Sequence, residues 1–205
     1  MSRLSALRRS ISLFAQGEKA EALYFIEEGL VKLTRTNASA RRLILSIYGP
    51  NDLLGEECLS GGAHLYHGEA EVLSLCTVYK IPWATVNRIA ATHPELGIGI
   101  VQYLLDANLK FAHKIGLLCL QDVETRILYH LEELAKLVPR GGDLGYPLPI
   151  TQLELADLVG ATRETTSTTL NQLARRGLVK LSRRLLTVFP EQARAASVGG
   201  TDADS

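Results

Sequence analysis

From residue 10 to residue 81 the apolar positions come in short runs, at 11–14, 23–26, 30–34, 43–48 and 77–81. Gly17, Gly29, the Gly49-Pro50-Asn51-Asp52 stretch and the Gly61-Gly62 pair separate them. Evenly spaced short strands between turn residues predict an antiparallel barrel or sandwich. Residues 1–9 carry Arg3, Arg8 and Arg9 with few apolar anchors and are expected to fray. At Trp83 the period changes. Residues 83–93 read as a helix, and a longer one opens at Pro94, which suits a first-turn position, and runs to about Leu120.

That long helix has two apolar stripes. Val101, Leu104, Asn108, Phe111, Ile115 and Leu118 step by three and four, and so do Leu105, Leu109, Ala112, Gly116 and Cys119. One stripe can pack on the strands; the other needs a second copy of the chain to cover it. The pattern therefore predicts a parallel two-chain coiled coil through Leu104, Asn108, Phe111, Ile115 and Leu118, with Asn108 as the polar residue that fixes register. Asp122 is placed to cap a further helix over residues 123–138, and residues 139–147, rich in Gly and Pro, read as a loop.

Residues 149–190 give the clearest pattern. Thr151 with Glu154 three positions on, followed by Leu155, Ala156, Leu158 and Val159, is a capping box opening a short amphipathic helix that Gly160 ends. Thr162 then caps a second helix with Leu170 and Leu173 on its apolar side and Gly177 at its end. Only Gly160 and Ala161 lie between the two, so the connection is a sharp turn. Residues 178–181 and 185–189 alternate around Ser182, Arg183 and Arg184, which predicts a hairpin with a basic tip. Residues 191–205 read as a disordered tail of small residues.

The second helix of this pair begins with Arg163, Glu164, Thr165, Thr166, Ser167 and Thr168, hydrogen-bonding side chains with almost no apolar content. Such a tip suits the major groove, where Arg reaches guanine, a carboxylate accepts from cytosine and Thr methyls touch thymine. Arg163, Glu164, Thr166, Ser167 and Thr168 are the candidate base readers. Thr151, Thr162, Ser182, Arg183 and Arg184 are the candidate phosphate holders. Between residues 162 and 189 stand six basic side chains against Glu164 alone, in a chain of 205 residues whose net charge is zero. That local asymmetry is the footprint of phosphate contact.

Composition narrows the class. The chain is 46% hydrophobic and 21% charged, with no apolar run that would span a membrane and no signal-peptide core, so a cytoplasmic protein is expected. Cys58, Cys76 and Cys119 are widely spaced among apolar neighbours and read as buried thiols, not as a disulfide framework or metal clasp. His64, His67, Glu69 and Glu71 on a loop are a weak metal signal; no metal or other cofactor is assigned. A metal oxygenase on the same kind of barrel would want a His-x-His pair, which is absent, so no enzyme is expected.

Three segments together resemble a known family: GPNDLLGE at residues 49–56, LQDVETRIL at 120–128 and TQLELADLVGATRETTSTTLNQLARRGLVKL at 151–181. They are similar to the Crp/Fnr family of bacterial transcription regulators over about residues 11–190. The resemblance implies an α+β chain. Residues 1–93 would form a cyclic-nucleotide-binding-like β-roll (a double-stranded β-helix, jelly-roll-like), 94–121 a dimerisation helix and 122–190 a winged helix-turn-helix. The homodimer would read a palindromic DNA operator, and the loop at 140–146 would lie where relatives touch RNA polymerase, as an activator does.

The departures matter as much. Relatives that bind cyclic AMP hold it with a Gly-Glu pair followed by Arg-Ser; here Gly55 and Glu56 stand at the first pair, but Tyr66 and His67 at the second. Neither supplies the bidentate cation that a phosphodiester wants. Phe111 and Ala112 stand where hydroxyls would meet adenine. Gly55, Glu56, Tyr66, His67 and Phe111 thus outline a degenerate effector pocket, and a regulator working without cyclic AMP is expected. The alternative is a regulator switched by a metal, haem or another small molecule through the altered pocket. On the reading helix, Thr168 replaces the Arg that relatives place four residues after the Glu.

Overall fold

The computed structural model describes residues 1–61, 63–139, 141, 145–182 and 185–189, and the chain divides into two compact units, Met1–Leu120 and Gln121–Ser205. In the first unit, strands β1 (Ser2–Leu7), β2 (Ser12–Phe14), β3 (Ala22–Glu28), β4 (Val31–Thr36), β5 (Arg42–Tyr48), β6 (Leu53–Leu54), β7 (Glu69–Val72) and β8 (Cys76–Pro82) build two four-stranded antiparallel sheets. Their orders are β1-β8-β3-β6 and β2-β7-β4-β5. Period-2 alternation turns Tyr24, Ile26, Val31, Leu33, Val72 and Val78 into one core between them. A 3-10 turn, Glu56–Ser60, lies between β6 and β7.

Residues 1–9 do not simply fray. Ser2, Arg3 and Leu4 of β1 pair with Lys80, Tyr79 and Val78 of β8, and Arg3 forms an ion pair with Glu27 at 2.8 Å. What holds this strand is the edge of β8, which gives β1 itself almost no apolar signature to read. Cys119 also departs from expectation: Cys58 and Cys76 are buried, but Cys119 is exposed.

Helix α1 (Trp83–Thr92) leads into α2 (Pro94–Leu120). Its face toward the roll is defined by Ile100, which packs on the core, by Tyr103, whose hydroxyl bonds the carbonyl and amide of Leu53, and by Lys114. The β4–β5 ladder shifts register between Leu33, opposite Ser46, and Thr34, opposite Ile44, so Leu45 is an extra residue. Such a bulge leaves backbone groups without ladder partners. The Lys114 ammonium, itself buried, donates to both carbonyls concerned, Ile44 at 2.6 Å and Leu45 at 3.1 Å.

The face of α2 left bare reads Ile98, Val101, Leu105, Asn108, Ala112, Ile115 and Cys119, alternating by three and four, and all of these residues are exposed. Val101, Leu105 and Ile115 are 65%, 58% and 61% exposed. This corrects the seam expected from sequence. Asn108 and Ile115 belong to the bare face, whereas Leu104, Phe111 and Leu118 are half-buried within their own protomer. The two polar anchors, Tyr103 and Lys114, fix the rotation, and periodicity alone could not choose it.

The second unit holds α3 (Val123–Lys136), β9 (Tyr146–Leu148), α4 (Gln152–Val159), α5 (Arg163–Arg175), β10 (Val179–Leu181) and β11 (Leu186–Val188). Ile127, Leu131 and Leu134 of α3 pack under Leu155 and Val159 of α4 and Leu170 and Leu173 of α5, all nearly inaccessible to solvent. The hairpin β10–β11 gains a third strand, since β9 pairs with β11 through Tyr146 and Val188. Residues 146–147, expected in the Gly- and Pro-rich loop, belong to β9 instead; as an edge strand, β9 tolerates Pro147.

Candidate nucleic-acid interface

Capping chemistry sets up the reading helix. Thr151 accepts from the Glu154 amide at 3.2 Å while the Glu154 carboxylate accepts from the Thr151 amide at 2.9 Å, the complete capping box. Gly160 follows with φ of +66°, a left-handed conformation that a side chain would strain, and so permits the two-residue turn. Thr162 then accepts from the Thr165 amide at 3.2 Å and opens α5.

On α5 the side chains of Arg163, Glu164 and Thr168 are exposed and Ser167 is half-exposed. Hydrogen bonds at the helix start, from its own backbone amide and from Thr162, hold the Glu164 carboxyl below the usual carboxylate range. It is therefore an anion at neutral pH, an acceptor only, suited to a base amino group. Thr166 is a correction. It is fully buried, and its hydroxyl has no hydrogen-bond partner among the described residues, so it belongs to the core and not to the exposed face of α5. Asn171 and Arg175 are also exposed, on the line continued from Glu164 and Thr168 at i, i+4, i+7 and i+11.

Thr151 is half-buried, and its hydroxyl also donates to Glu154 at 2.8 Å. Thr162 is exposed and shares a hydroxyl contact with Thr165 at 3.0 Å, and exposed Ser182 donates to the Leu185 carbonyl at 2.7 Å. These three stand beside the turn, at the tip of α5 and at the hairpin. Arg183 and Arg184, and most of the loop at 140–146, lie outside the described residues, as does the tail at 191–205.

In the roll the expected pocket residues meet only in part. Gly55 has φ of +85°, and a Cβ there would stand 2.9 Å from the Ala22 carbonyl oxygen and 3.2 Å from the Tyr66 ring. Tyr66 stands at the position expected from the sequence to correspond to the relatives' Arg. It is 2% exposed, its ring stacks on Phe14 at 3.8 Å, and its hydroxyl donates to the Ala22 carbonyl at 2.7 Å and accepts from the Ala22 amide at 3.2 Å. Those two groups face the side of β3 where its pairing with β6, at Tyr24 and Phe25, has already ended.

His67 is exposed and forms an ion pair with Glu57. The bond to Glu57 raises the imidazole above its ordinary value, and the same bonds overcome the burial that would otherwise raise the Glu57 carboxyl. Glu56 is pushed up, chiefly by burial. Phe111, half-buried on α2, is not part of the cluster around Tyr66. Among the described residues no three His, Cys, Asp or Glu side chains gather as a metal site, and no helix is long and apolar enough to cross a membrane.

The comparisons with known proteins cover both units. Residues 6–93 match the cyclic nucleotide-binding domain and residues 125–192 the Crp-like helix-turn-helix domain. The chain is 31% identical over 172 residues to the cyclic AMP receptor protein of Thermus thermophilus, covering 82% of this chain and 76% of that one. It is 29% identical over 194 residues to a CRP-like cAMP-activated global transcriptional regulator of Mycobacterium tuberculosis, covering 91% and 84%. A CRP-family transcriptional regulator from Thermus thermophilus superposes with a TM-score of 0.80 at 25% identity over the whole of both chains. With a recognisable roll, the capped reading helix and relatives that span both units, this chain belongs to the Crp/Fnr family of DNA-binding transcription regulators.

Proposed function

We propose that the chain works as a homodimer that reads an inverted-repeat operator and does so without cyclic AMP. The observation that carries the dimer is the bare heptad on α2. Seven residues from Ile98 to Cys119 alternate by three and four and are left exposed by the described residues of their own protomer, and a second copy offers the matching surface. Asn108 at the middle of that line favours the in-register parallel pair, in which it meets its own copy. Two reading helices so paired fit half-sites about 34 Å apart, one turn of the duplex. Arg163 and Glu164 read bases with Ser167 and Thr168, and Thr151, Thr162, Ser182, Arg183 and Arg184 hold phosphates.

Independence from cyclic AMP is supported by Tyr66, which puts an aromatic core side chain and a committed hydroxyl where the ligand phosphate needs a guanidinium. Activation through RNA polymerase rests on the resemblance at residues 140–146 and is read by transcription in vitro.

The test is selection of duplexes from a random pool, with calorimetry alongside. Selected sites are expected to be palindromic, one dimer per site, with affinity falling steeply as salt rises. Titration with cyclic AMP is expected to give no heat. Binding at micromolar concentration, or selection of asymmetric single half-sites, refutes the corresponding part.

A further inference from the structure

We propose that Arg126 is a positioning residue for DNA reading: from α3 it holds the end of α4, so that the two-residue turn delivers α5 in one direction. The proposal rests on the reading role of α5.

A helix leaves its last carbonyls without intrahelical donors. In α4 the Ala156 carbonyl is served by the amides of Gly160 and Ala161. The Val159 carbonyl, the last before the turn, is met from another helix, by Arg126 Nη1 at 2.8 Å. Val159 is fully buried and Arg126 half-buried, so the guanidinium shields this carbonyl from solvent as well as bonding it. Arg126 is braced in turn: its Nε leans on the Asp122 carbonyl at 3.4 Å, and Asp122 caps α3 by accepting from the Thr125 amide at 2.8 Å. Beneath it Ile127 and Leu131 anchor α3 in the core.

The carbonyl so held is three residues before the cap of the reading helix. The candidate readers occupy the first six residues of α5, about 9 Å from the turn, so a tilt of about ten degrees there displaces the furthest of them by about 1.5 Å. Hydrogen bonds to bases and phosphates do not tolerate such a shift. A second tie runs from the same turn of α3, where Glu124 pairs with Arg176, the residue that ends α5. That pair is 35% and 46% exposed and salt-screened, so the more shielded, part-buried Arg126 contact dominates.

The experiment compares Arg126→Met and Arg126→Lys with the parent chain on the operator selected from a random pool and on random-sequence duplex, at one salt concentration. Arg126→Met is expected to lose about tenfold on the operator, as for one hydrogen bond, and nothing on random duplex. Arg126→Lys recovers part of the loss, and the salt dependence stays unchanged. Without DNA, amide exchange at residues 160–166 is expected to quicken in the Met variant. Should that variant fail to fold, Arg126→Gln takes its place.

Equal losses on both duplexes, with a salt slope lower by about one, would make Arg126 a phosphate contact and overturn the proposal. So would unchanged exchange at residues 160–166 with only a lower unfolding temperature. If the parent chain itself shows no operator preference, the DNA-reading assignment fails, and the exchange pattern still decides whether Arg126 holds the turn.

Discussion

The β-roll and the winged helix are built from similar polar side chains and use them in opposite ways. In the roll these groups are consumed internally: Tyr66 on the backbone of Ala22, His67 on Glu57, Tyr103 on Leu53, Lys114 on the bulge carbonyls of Ile44 and Leu45. On α5, Arg163, Glu164 and Thr168 stand in solvent at a capped helix tip. The buried groups among these are matched to their own fold, because an unmatched one costs about 1–3 kcal/mol; among the described residues of the roll the Thr34 hydroxyl is the exception. At a helix tip, water holds the place that a base or phosphate takes. The difference teaches where change is tolerated: Tyr66 is tied into the core of the roll, whereas Arg163, Glu164 and Thr168 present exposed side chains that the core does not enclose.

The sharpest way to break this contrast is at the bare face of α2. Leu105→Lys is expected to turn the dimer into a monomer at micromolar concentration and to lower operator affinity by at least about a hundredfold, since both half-sites must be held together. Sedimentation and mobility shift check it, and a stable dimer with full affinity removes α2 as the seam.

Next in size is a pH effect confined to the roll. Burial lowers Lys114 from 10.5 to about 8. The unfolded chain then binds the extra proton between these values, so this contribution is complete above about pH 10.5 and lost as pH falls through about 8. Its size is on the order of 3 kcal/mol at most. Lys114→Met is expected to flatten that part of the stability profile measured by denaturant unfolding from pH 7 to 10, with no change in the sequence selected from a random pool.

Glu164→Ala acts in the other region and in the other sense. It is expected to cost about 1–3 kcal/mol on the preferred operator and to change which base is chosen, with the unfolding temperature unmoved. A uniform loss across all sequences would reassign Glu164. The smallest effect sharpens the boundary within α5 itself: Thr166→Val removes a buried hydroxyl without a partner and is expected to stabilise the chain by about 1 kcal/mol, leaving base preference intact. An altered preference would return Thr166 to the reading face.

Wherever structure follows from neighbours in sequence, it was legible. The capping box of Thr151 and Glu154, the cap at Thr162, the turn at Gly160 and the cap at Asp122 are contacts three residues apart, so the order of residues states them outright. The strand β1 and the edge strand β9 were not legible, because each depends on a partner, β8 or β11, distant in the chain. The contact of Arg126 with Val159, 33 positions apart, has no sequence signal at all.

The chain's order of residues therefore determined its class and the polar, capped tip of α5, since these are matters of residue identity and local spacing. Only the tertiary structure decided which stripe of α2 is bare, that Thr166 lies inside and that Tyr66 has become part of the core. A helix with apolar residues on two sides has two acceptable rotations, and the choice was made by Tyr103 and Lys114 finding backbone partners on strands 50 and 70 residues away.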